Sequence, residues 1–281
     1  MALLFSLMRF FFLLSALIGL CLLSACSSLF FYPQKQIVAT PDQAGVAYEE
    51  ISLRSRDGTR LSAWLLKSSG LHRGTVYFLH GNAENISTHF ASVHWLPEQG
   101  YDVLMLDYRG YGHSEGEPEL PEIYEDIEAG FQWLLENRGA DEPLYFLGQS
   151  IGAALGVYWM AYSPAAQQRL HKAVLDAPFS SFPAMIEDVL ERHWLTWLLA
   201  EPVSWGFSSR YDPDKAAASI PAGIHFLCFH STEDRVVPII QGASLYRALP
   251  ASTIRVETRG PHIATFYFQD NRNLLLNFLQ Q

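Results

Sequence analysis

A serine between two glycines is the first feature of this sequence that could do chemistry. Residues 144–147 form an apolar run typical of a strand, and residues 151–162 can form a helix rich in small side chains. Between them stands Gly148-Gln149-Ser150-Ile151-Gly152, a Gly-x-Ser-x-Gly motif at a predicted strand-to-helix turn. The small flanking residues permit a strained backbone at Ser150, which lifts the hydroxyl out of the sheet beside a helix N-terminus. The motif therefore predicts that Ser150 is a nucleophile.

A serine hydroxyl is a weak nucleophile until a neighbouring base accepts its proton and an acid orients that base. Asp234 and His262 follow Ser150 in the chain order nucleophile, acid, base, and each comes directly after a predicted strand. Because the carboxyl ends of parallel strands meet at one edge of a sheet, we expect the three side chains to lie together. Glu233 is an alternative acid, although Asp234 fits the strand end and the following Val-Val-Pro run better.

Other polar residues near the predicted strand ends have structural interpretations. His80 is expected to brace the turn that follows it, and His230 to support the loop of the acid. His113 and Ser114 lie in the glycine-rich loop 109–116, which could shape a pocket but lacks the Lys and spacing of a phosphate-binding loop. The sequence has no His-Glu-x-x-His motif and no Cys-His cluster, so we predict neither a metal nor a cofactor.

Strands and helices alternate from residue 75 onward, after a predicted hairpin of residues 48–53 and 60–66. Such alternation predicts an α/β fold with a mostly parallel sheet covered by helices on both faces. We assign residues 48–281 to this single domain. The further strands are predicted at 75–79, 103–107, 144–147, 172–175, 224–229 and 253–257, and the helices at 87–96, 121–137, 151–162, 239–249 and 263–281.

Residues 181–210 interrupt this alternation, because they are rich in aromatic side chains and carry no strand pattern. We interpret them as a short helical cap over the sheet. The aromatic side chains could form an apolar wall for an acyl group, or they could pack the cap on the domain. A third alternative is that Trp194 and Trp197 contact lipid near an N-terminal anchor.

Residues 1–23 are nearly all apolar, with Arg9 as the only charge, which is typical of a secretory signal. They run into Leu23-Ser24-Ala25-Cys26, which resembles the lipobox of bacterial lipoproteins. The resemblance implies that residues 1–25 are a signal peptide and that Cys26 receives the lipid.

In that interpretation residues 26–47 are a lipidated N-terminus and a linker. Ser27 in place of an Asp favours the outer membrane, so the expected location is the bacterial cell envelope, with the domain facing the periplasm. The alternative is an uncleaved transmembrane anchor, because the same apolar segment is long enough to span a bilayer.

Composition excludes some classes of partner. The net charge is −10, and the 19 Lys and Arg residues form no basic cluster, which argues against binding of nucleic acid. The three cysteines are Cys21, Cys26 and Cys228, so cleavage of the signal leaves no pair for an internal disulfide. Cys228 lies in an apolar run and is expected to be buried.

Taken together, the motifs resemble the α/β-hydrolase superfamily over about residues 48–281. The sequence has His-Gly-Asn-Ala from His80, Tyr-Arg-Gly-Tyr-Gly-x-Ser from Tyr108, and Gly-x-Ser-x-Gly, each after a predicted strand. It also has the Asp-x-Val-Val-Pro and Gly-x-His segments of a branch of small serine hydrolases. That branch is similar to acyl-protein thioesterases and to serine aminopeptidase-like hydrolases. Two departures are the Ser at 231 in place of a Gly, and Pro261 before the histidine.

The resemblance implies a role for each matching residue. Ser150 attacks the acyl carbon, His262 transfers the proton, and Asp234 orients the imidazole. The backbone N–H groups of Asn82 and Ile151 form the oxyanion hole. The expected protein is a membrane-anchored serine hydrolase that cleaves a small acyl ester or thioester.

Two other functions stay open at this point. A serine peptidase of the aminopeptidase type would need an acidic patch for the substrate amine, which Glu84, Glu115 or Glu117 could supply. A lipoprotein with an inactive hydrolase domain could act by binding alone, but the full set of Ser150, Asp234 and His262 argues against it.

Overall fold

The structure is a computed structural model that describes residues 30–192 and 195–281. The expected signal peptide of residues 1–25, the expected lipid site Cys26 and the cap residue Trp194 lie outside the described residues. Among the residues described, no helix is both long enough and apolar enough to cross a membrane.

A single sheet of eight strands organises the described part of the chain. The strands are β1 Tyr48–Arg54, β2 Arg60–Leu66, β3 Gly74–Leu79, β4 Tyr101–Asp107, β5 Leu144–Gln149, β6 Leu170–Asp176, β7 His225–Ser231 and β8 Ile254–Thr258. Their order across the sheet is β1-β2-β4-β3-β5-β6-β7-β8. The hairpin β1–β2 and the pair β2–β4 are antiparallel, and the other neighbours are parallel. The predicted hairpin and the mostly parallel sheet are therefore confirmed.

Within residues 30–192 and 195–281 the chain forms nine α-helices and several 3₁₀ turns. The helices are α1 Ile86–His89, α2 Glu122–Asn137, α3 Ile151–Tyr162, α4 Pro164–Arg169, α5 Phe182–Glu191, α6 Ala200–Ser204, α7 Pro213–Ala217, α8 Ala243–Ala248 and α9 Gln269–Gln280. The 3₁₀ turns are Pro41–Ala44, Phe90–Ser92, Pro97–Gln99, Trp197–Leu199, Ser209–Tyr211, Ile239–Gly242 and Thr265–Tyr267.

Apolar side chains pack on both faces of the sheet, because successive residues of a strand point to opposite sides. Tyr77 and Leu79 of β3 belong to one core cluster, which also contains buried residues of α2 and α3. Val76 and Phe78 belong to a second cluster, which contains buried residues of α9. Helices therefore cover both faces, as the alternation of elements predicted.

Three predicted helices differ from the observed ones. The helix expected at 87–96 is a single α-turn followed by 3₁₀ and irregular turns, because the rings of His94 and Trp95 bond to the carbonyls of Ala91 and Ser92. The segment 239–249 begins as a 3₁₀ turn. The last helix begins at Gln269 instead of 263, because Ile263 has a left-handed φ of 53° that a helix cannot contain.

Residues 30–38, which we call the N-terminal strap, are held against the domain. Phe30 and Phe31 are buried in a core cluster. The Gln34 amide donates to the Glu84 carbonyl at 3.1 Å, and the Gln34 carbonyl accepts from the Gly112 amide at 2.8 Å. This part of the expected linker is therefore bound to two loops that follow β3 and β4.

The cap is helical, as predicted, and it begins directly after the loop that ends β6. Ser181 caps the N-terminus of α5 by accepting from the Ala184 amide, and Asp212 accepts from the Phe182 amide at 3.0 Å. These bonds fix the start of α5 to the chain that leaves the cap. The helices α5 and α6 form the body of this insertion.

Candidate active site

Ser150 lies at a strained turn between β5 and α3. Its φ is 54° and its ψ is −120°, a left-handed backbone that L-residues rarely adopt. A Cβ atom at Gly152 would lie 2.3 Å from the Leu79 carbonyl oxygen, and one at Gly148 would lie 2.7 Å from the Ala153 Cα. Only glycine fits at both flanking positions, so the conformation predicted from the motif is confirmed.

Backbone hydrogen bonds lock this turn in place. The Ser150 amide donates to the Asp176 carbonyl at 2.8 Å, which joins the turn to the end of β6. The Ser150 carbonyl accepts from the amides of Ala153 and Ala154, both at 3.1 Å. The nucleophile candidate is thus held by the sheet on one side and by the first turn of α3 on the other.

His262 and Asp234 form a short hydrogen bond at the ends of β7 and β8. His262 Nδ1 lies 2.6 Å from Asp234 Oδ2. The other carboxylate oxygen of Asp234 accepts from the amides of Val236 at 2.8 Å and Val237 at 2.9 Å. Burial acts to raise the pKa of Asp234, but the bond to His262 and the two amides outweigh it and lower the pKa. Asp234 therefore stays ionised and fixes the proton on Nδ1, which leaves Nε2 of His262 as the basic nitrogen.

The alternative acid has a different partner. Glu233 Oε2 accepts from the Gly260 amide at 2.9 Å. This bond positions the loop that carries His262, whereas the imidazole itself bonds to Asp234. Of the two neighbouring carboxylates, the structure pairs Asp234 with the histidine.

Asp176 joins the turn of the serine to the loop of the histidine, a role that the sequence analysis missed. Its carboxylate accepts from Gln149 Nε2 at 2.8 Å and from Thr265 Oγ1 at 2.6 Å. Burial raises its pKa to about 6, while these two donors act in the opposite direction. The available signal was an Asp at the end of the strand after the serine motif, but the sequence did not show what it contacts.

The loop after β3 carries Asn82, whose Oδ1 accepts from the adjacent Ala83 amide at 2.9 Å and whose side chain also bonds to three groups distant in the chain. Asn82 Oδ1 accepts from the Tyr111 hydroxyl at 2.9 Å and from the Tyr32 amide at 3.0 Å, and Asn82 Nδ2 donates to the Phe30 carbonyl. The N-terminal strap and the glycine-rich loop thus set the position of Asn82. Neither contact was foreseen from the sequence.

The Asn82 loop lies beside the serine. A Cβ atom at Gly81 would be 3.6 Å from Ser150 Cβ. The amides of Asn82 and Ile151 donate to no other described residue. Two N–H groups that have no partner among the described residues and lie next to a candidate nucleophile are what an oxyanion hole requires.

His80 supports this loop from within the domain. Its Nδ1–H donates to the Gly81 carbonyl at 2.8 Å, and its Nε2 lies 3.5 Å from Asp107 Oδ1. Burial lowers the pKa of His80 and raises the pKa of Asp107 to about 7. The bracing role expected for His80 is confirmed.

The remaining polar residues singled out in the sequence are structural or exposed. His230 Nε2–H donates to the Val237 carbonyl at 2.8 Å, so it supports the acid loop as predicted. Ser114 Oγ donates to the Asp107 carbonyl at 2.6 Å and accepts from the Ser62 amide at 2.8 Å, whereas His113 is exposed.

The glycine-rich loop also carries a cation that is neutralised inside the protein. Arg109 pairs with Asp126 at 2.7 Å and with Asp57 at 2.9 Å. Its guanidinium is therefore unavailable to a phosphate. Within residues 30–192 and 195–281, no group of three His, Cys, Asp or Glu side chains is placed to hold a metal ion.

Comparison with known proteins places this geometry in a family. The model of the serine aminopeptidase S33 family matches residues 70–219. The uncharacterized protein YfhR of Salmonella typhi is 30% identical over 271 residues, which cover 89% of this chain and 87% of YfhR. Lysophosphatidylserine lipase ABHD12 of Xenopus tropicalis is 27% identical over 190 residues, which cover 64% of this chain and 48% of that protein.

The fold has a solved counterpart in the esterase Pf2001 of Pyrococcus furiosus. The two structures superpose with a TM-score of 0.73 at 19% identity, over 89% of this chain and 97% of the esterase. This similarity concerns the fold alone, whereas the family match covers the loops after β3, β4 and β5. The chain belongs to the serine aminopeptidase S33 family of the α/β-hydrolase superfamily, and it is a hydrolase.

Proposed function

We propose that this protein is a membrane-anchored serine hydrolase that cleaves carboxylic esters or thioesters through an acyl-enzyme on Ser150. The observation that carries the proposal is the strained turn at Ser150 together with the pair of His262 and Asp234, which lie 2.6 Å apart on the loops after β8 and β7. A buried hydroxyl in ordinary structure needs neither a strained backbone nor an oriented base.

Each group then has one chemical task. His262 Nε2 accepts the Ser150 proton as Oγ bonds to the acyl carbon, and the N–H groups of Asn82 and Ile151 receive the oxyanion. The tetrahedral intermediate expels the alcohol or thiol, which takes the proton from His262. Water, deprotonated by His262, then attacks the acyl-enzyme and releases the acid. Asp234 stabilises the imidazolium in both halves of the cycle.

An ester or thioester substrate is favoured over a peptide, because one of the acidic residues that could bind a substrate amine is already paired with a cation. Glu115, one candidate for binding a substrate amine, pairs with Arg60 at 2.9 Å. A carboxylate with its own cation attracts an amine less strongly. The lipase named among the relatives also supports an ester substrate. Aminopeptidase activity is the second candidate, because Glu84 is exposed two residues after Asn82 and the family model carries that name.

The test of serine catalysis uses the full-length protein in detergent and a fluorophosphonate probe. We expect the wild type to be labelled, Ser150→Ala to lose labelling with turnover on the order of 10⁶-fold lower, and the exposed Ser219→Ala control to behave as wild type. A p-nitrophenyl ester series from acetate to palmitate, an acyl thioester and an aminoacyl p-nitroanilide then rank the substrates. If the folded wild-type protein is not labelled, the proposal of serine catalysis is wrong.

The membrane anchor is tested separately. Cys26→Ser is expected to abolish incorporation of labelled fatty acid and to keep the mass of the uncleaved chain, whereas Cys21→Ser keeps the label and the shorter mass of wild type. If the wild type takes up no fatty acid and has the mass of the full chain, the segment is an uncleaved transmembrane anchor instead.

A further inference from the structure

The cap presents an unusual run of exposed apolar side chains. Leu195, Trp197, Leu198 and Leu199 are 54–70% exposed, and Trp205 is 75% exposed. Exposed apolar residues are ordinarily scattered singly, whereas a contiguous group marks a surface that contacts protein or lipid. We call these five residues the cap patch.

The base of the cap lies close to the expected lipid attachment. The Phe30 ring is 5.0 Å from that of Phe182 and 6.4 Å from that of Phe207, centroid to centroid. Cys26 stands four residues before Phe30, and four residues span at most about 14 Å even when extended. A lipid on Cys26 would therefore enter the bilayer near the face of the domain that carries the cap.

Helix α5 of the cap contacts two segments that adjoin the candidate active site. On one side, the backbone of Phe30 accepts from Asn82 Nδ2 while its ring packs on α5. On the other side, Arg192 at the end of α5 donates to the Val236 carbonyl, two residues after Asp234. The base of the cap that carries the patch is thus joined to both of these segments.

The chemistry of the patch fits a lipid surface. Its members are three leucines and two tryptophans, and tryptophan is enriched where protein meets the membrane interface. The net charge of −10 opposes docking on an anionic surface by electrostatics, so apolar contact has to supply the attraction. The short tether to Cys26 favours the bilayer over a second copy of the chain as the occupant.

We infer that the cap patch docks on the bilayer that carries the anchor, and that the site takes acyl esters of membrane lipids from that bilayer. This inference rests on the proposed anchor and the proposed ester hydrolysis. Insertion of the leucine and tryptophan side chains holds the site at the depth of lipid ester groups, so the substrate reaches Ser150 without crossing water.

Docking is tested with the full-length protein in phosphatidylcholine vesicles that contain spin-labelled lipid as a quencher. An environment-sensitive fluorophore is attached at Leu198→Cys or at the control Leu71→Cys. Leu71 is 79% exposed and precedes β3, at the opposite end of the parallel strands. Cys228 is buried and the pKa of its thiol is raised, so it labels slowly, and the labelled wild type gives the background.

We expect a blue shift and strong quenching by the lipid probe at position 198 and neither at position 71. Equal quenching at both positions would overturn the inference. A blue shift at 198 that depends on protein concentration and resists the lipid quencher would also overturn it, because a second copy would then cover the patch.

Catalysis supplies the second readout. The double variant Leu198→Glu/Leu199→Glu is expected to hydrolyse soluble p-nitrophenyl acetate within twofold of wild type. Its hydrolysis of a fluorogenic lysophospholipid embedded in vesicles should fall at least tenfold, and Leu71→Glu should keep both activities. An equal loss on both substrates, or no loss on the embedded one, contradicts the inference. If the wild type docks but cleaves neither substrate, the proposed function fails and docking stands.

Discussion

The floor of the site and the cap beside it are opposite kinds of surface. The floor consists of Ser150, Asp176, Asp234 and His262, which lie at the ends of strands or follow them. The first three are held by two or more hydrogen bonds each, and His262 is held by its short bond to Asp234. The cap presents leucine and tryptophan side chains to its surroundings.

This difference separates two properties of a hydrolase. Atoms that react must be fixed to within fractions of an ångström, and a sheet edge provides that rigidity. A surface that selects substrates or partners needs the right polarity and shape instead. Variants of the floor should therefore change the rate for every substrate, while variants of the cap patch should change only which substrates are reached.

After Ser150 itself, the largest effect is expected at the acid. Asp234→Asn removes the charge that holds the His262 proton on Nδ1, so we expect kcat on a soluble ester to fall by about 10⁴ with little change in KM. Steady-state kinetics measure both values. The control is Glu233→Gln, which keeps an oxygen for the Gly260 amide and should cost only a few-fold. A larger loss for Glu233→Gln would assign the acid to Glu233.

The next effect is a pH dependence of the free energy of unfolding that arises from the carboxyl group of Asp176. Because burial raises its pKa from 3.8 to about 6, the folded state binds the proton more tightly than the unfolded state. Ionisation of Asp176 thus lowers the free energy of unfolding as the pH rises from about 4 to 6, by about 3 kcal/mol in total. Asp176→Asn removes this cost, so the variant should gain stability relative to wild type as the pH rises.

Urea unfolding of both proteins in detergent at pH 4.5 and 7.5 measures this gain, with the exposed Asp141→Asn as a control for loss of charge. An asparagine can still accept from Gln149 and donate to Thr265, so the packing is preserved. A stability difference that stays constant with pH would show that the carboxylate is not penalised by burial.

A smaller effect is expected where the glycine-rich loop meets the Asn82 loop. Tyr111→Phe removes the hydroxyl that bonds to Asn82 Oδ1 at 2.9 Å but keeps the buried ring. Loss of one neutral hydrogen bond is worth about 1 kcal/mol, which corresponds to about fivefold in kcat. The exposed Tyr162→Phe is the control. An unchanged kcat for Tyr111→Phe would mean that the N-terminal strap and the Ala83 amide suffice to position Asn82.

The smallest effect is expected in the cap patch. Trp205 is largely exposed, so Trp205→Ala should change stability by less than about 0.5 kcal/mol and leave hydrolysis of p-nitrophenyl acetate as in wild type. Thermal unfolding and initial rates test this. A marked loss of activity on the soluble ester would show that the cap patch, like the floor, affects the rate for every substrate.

Sequence reasoning succeeded where covalent geometry dictates the residue. The turn at Ser150 needs glycine on both sides, because a Cβ atom at either position would meet backbone atoms. The strands were predicted because buried parallel strands leave uninterrupted apolar runs. Both signals are local, so no knowledge of the tertiary structure was required.

Sequence reasoning failed where the partner is distant in the chain. The carboxylate of Asp176 bonds to Thr265, which is 89 residues away, and no spacing rule links the two. The N-terminal strap has no periodic pattern, because backbone hydrogen bonds to loops hold much of it. Nor does periodicity reveal a left-handed residue such as Ile263, which delays the last helix.

The N-terminal strap has a consequence for release from the membrane. It supplies the Phe30 carbonyl and the Tyr32 amide to Asn82, and the side chains of residues 32–36 are exposed. A protease that cuts between Tyr32 and the rest of the domain would free the hydrolase from the proposed anchor at Cys26. The same cut would remove two of the three distant partners of Asn82. If the proposed anchor is present, shedding by such a cut should therefore also lower the proposed activity.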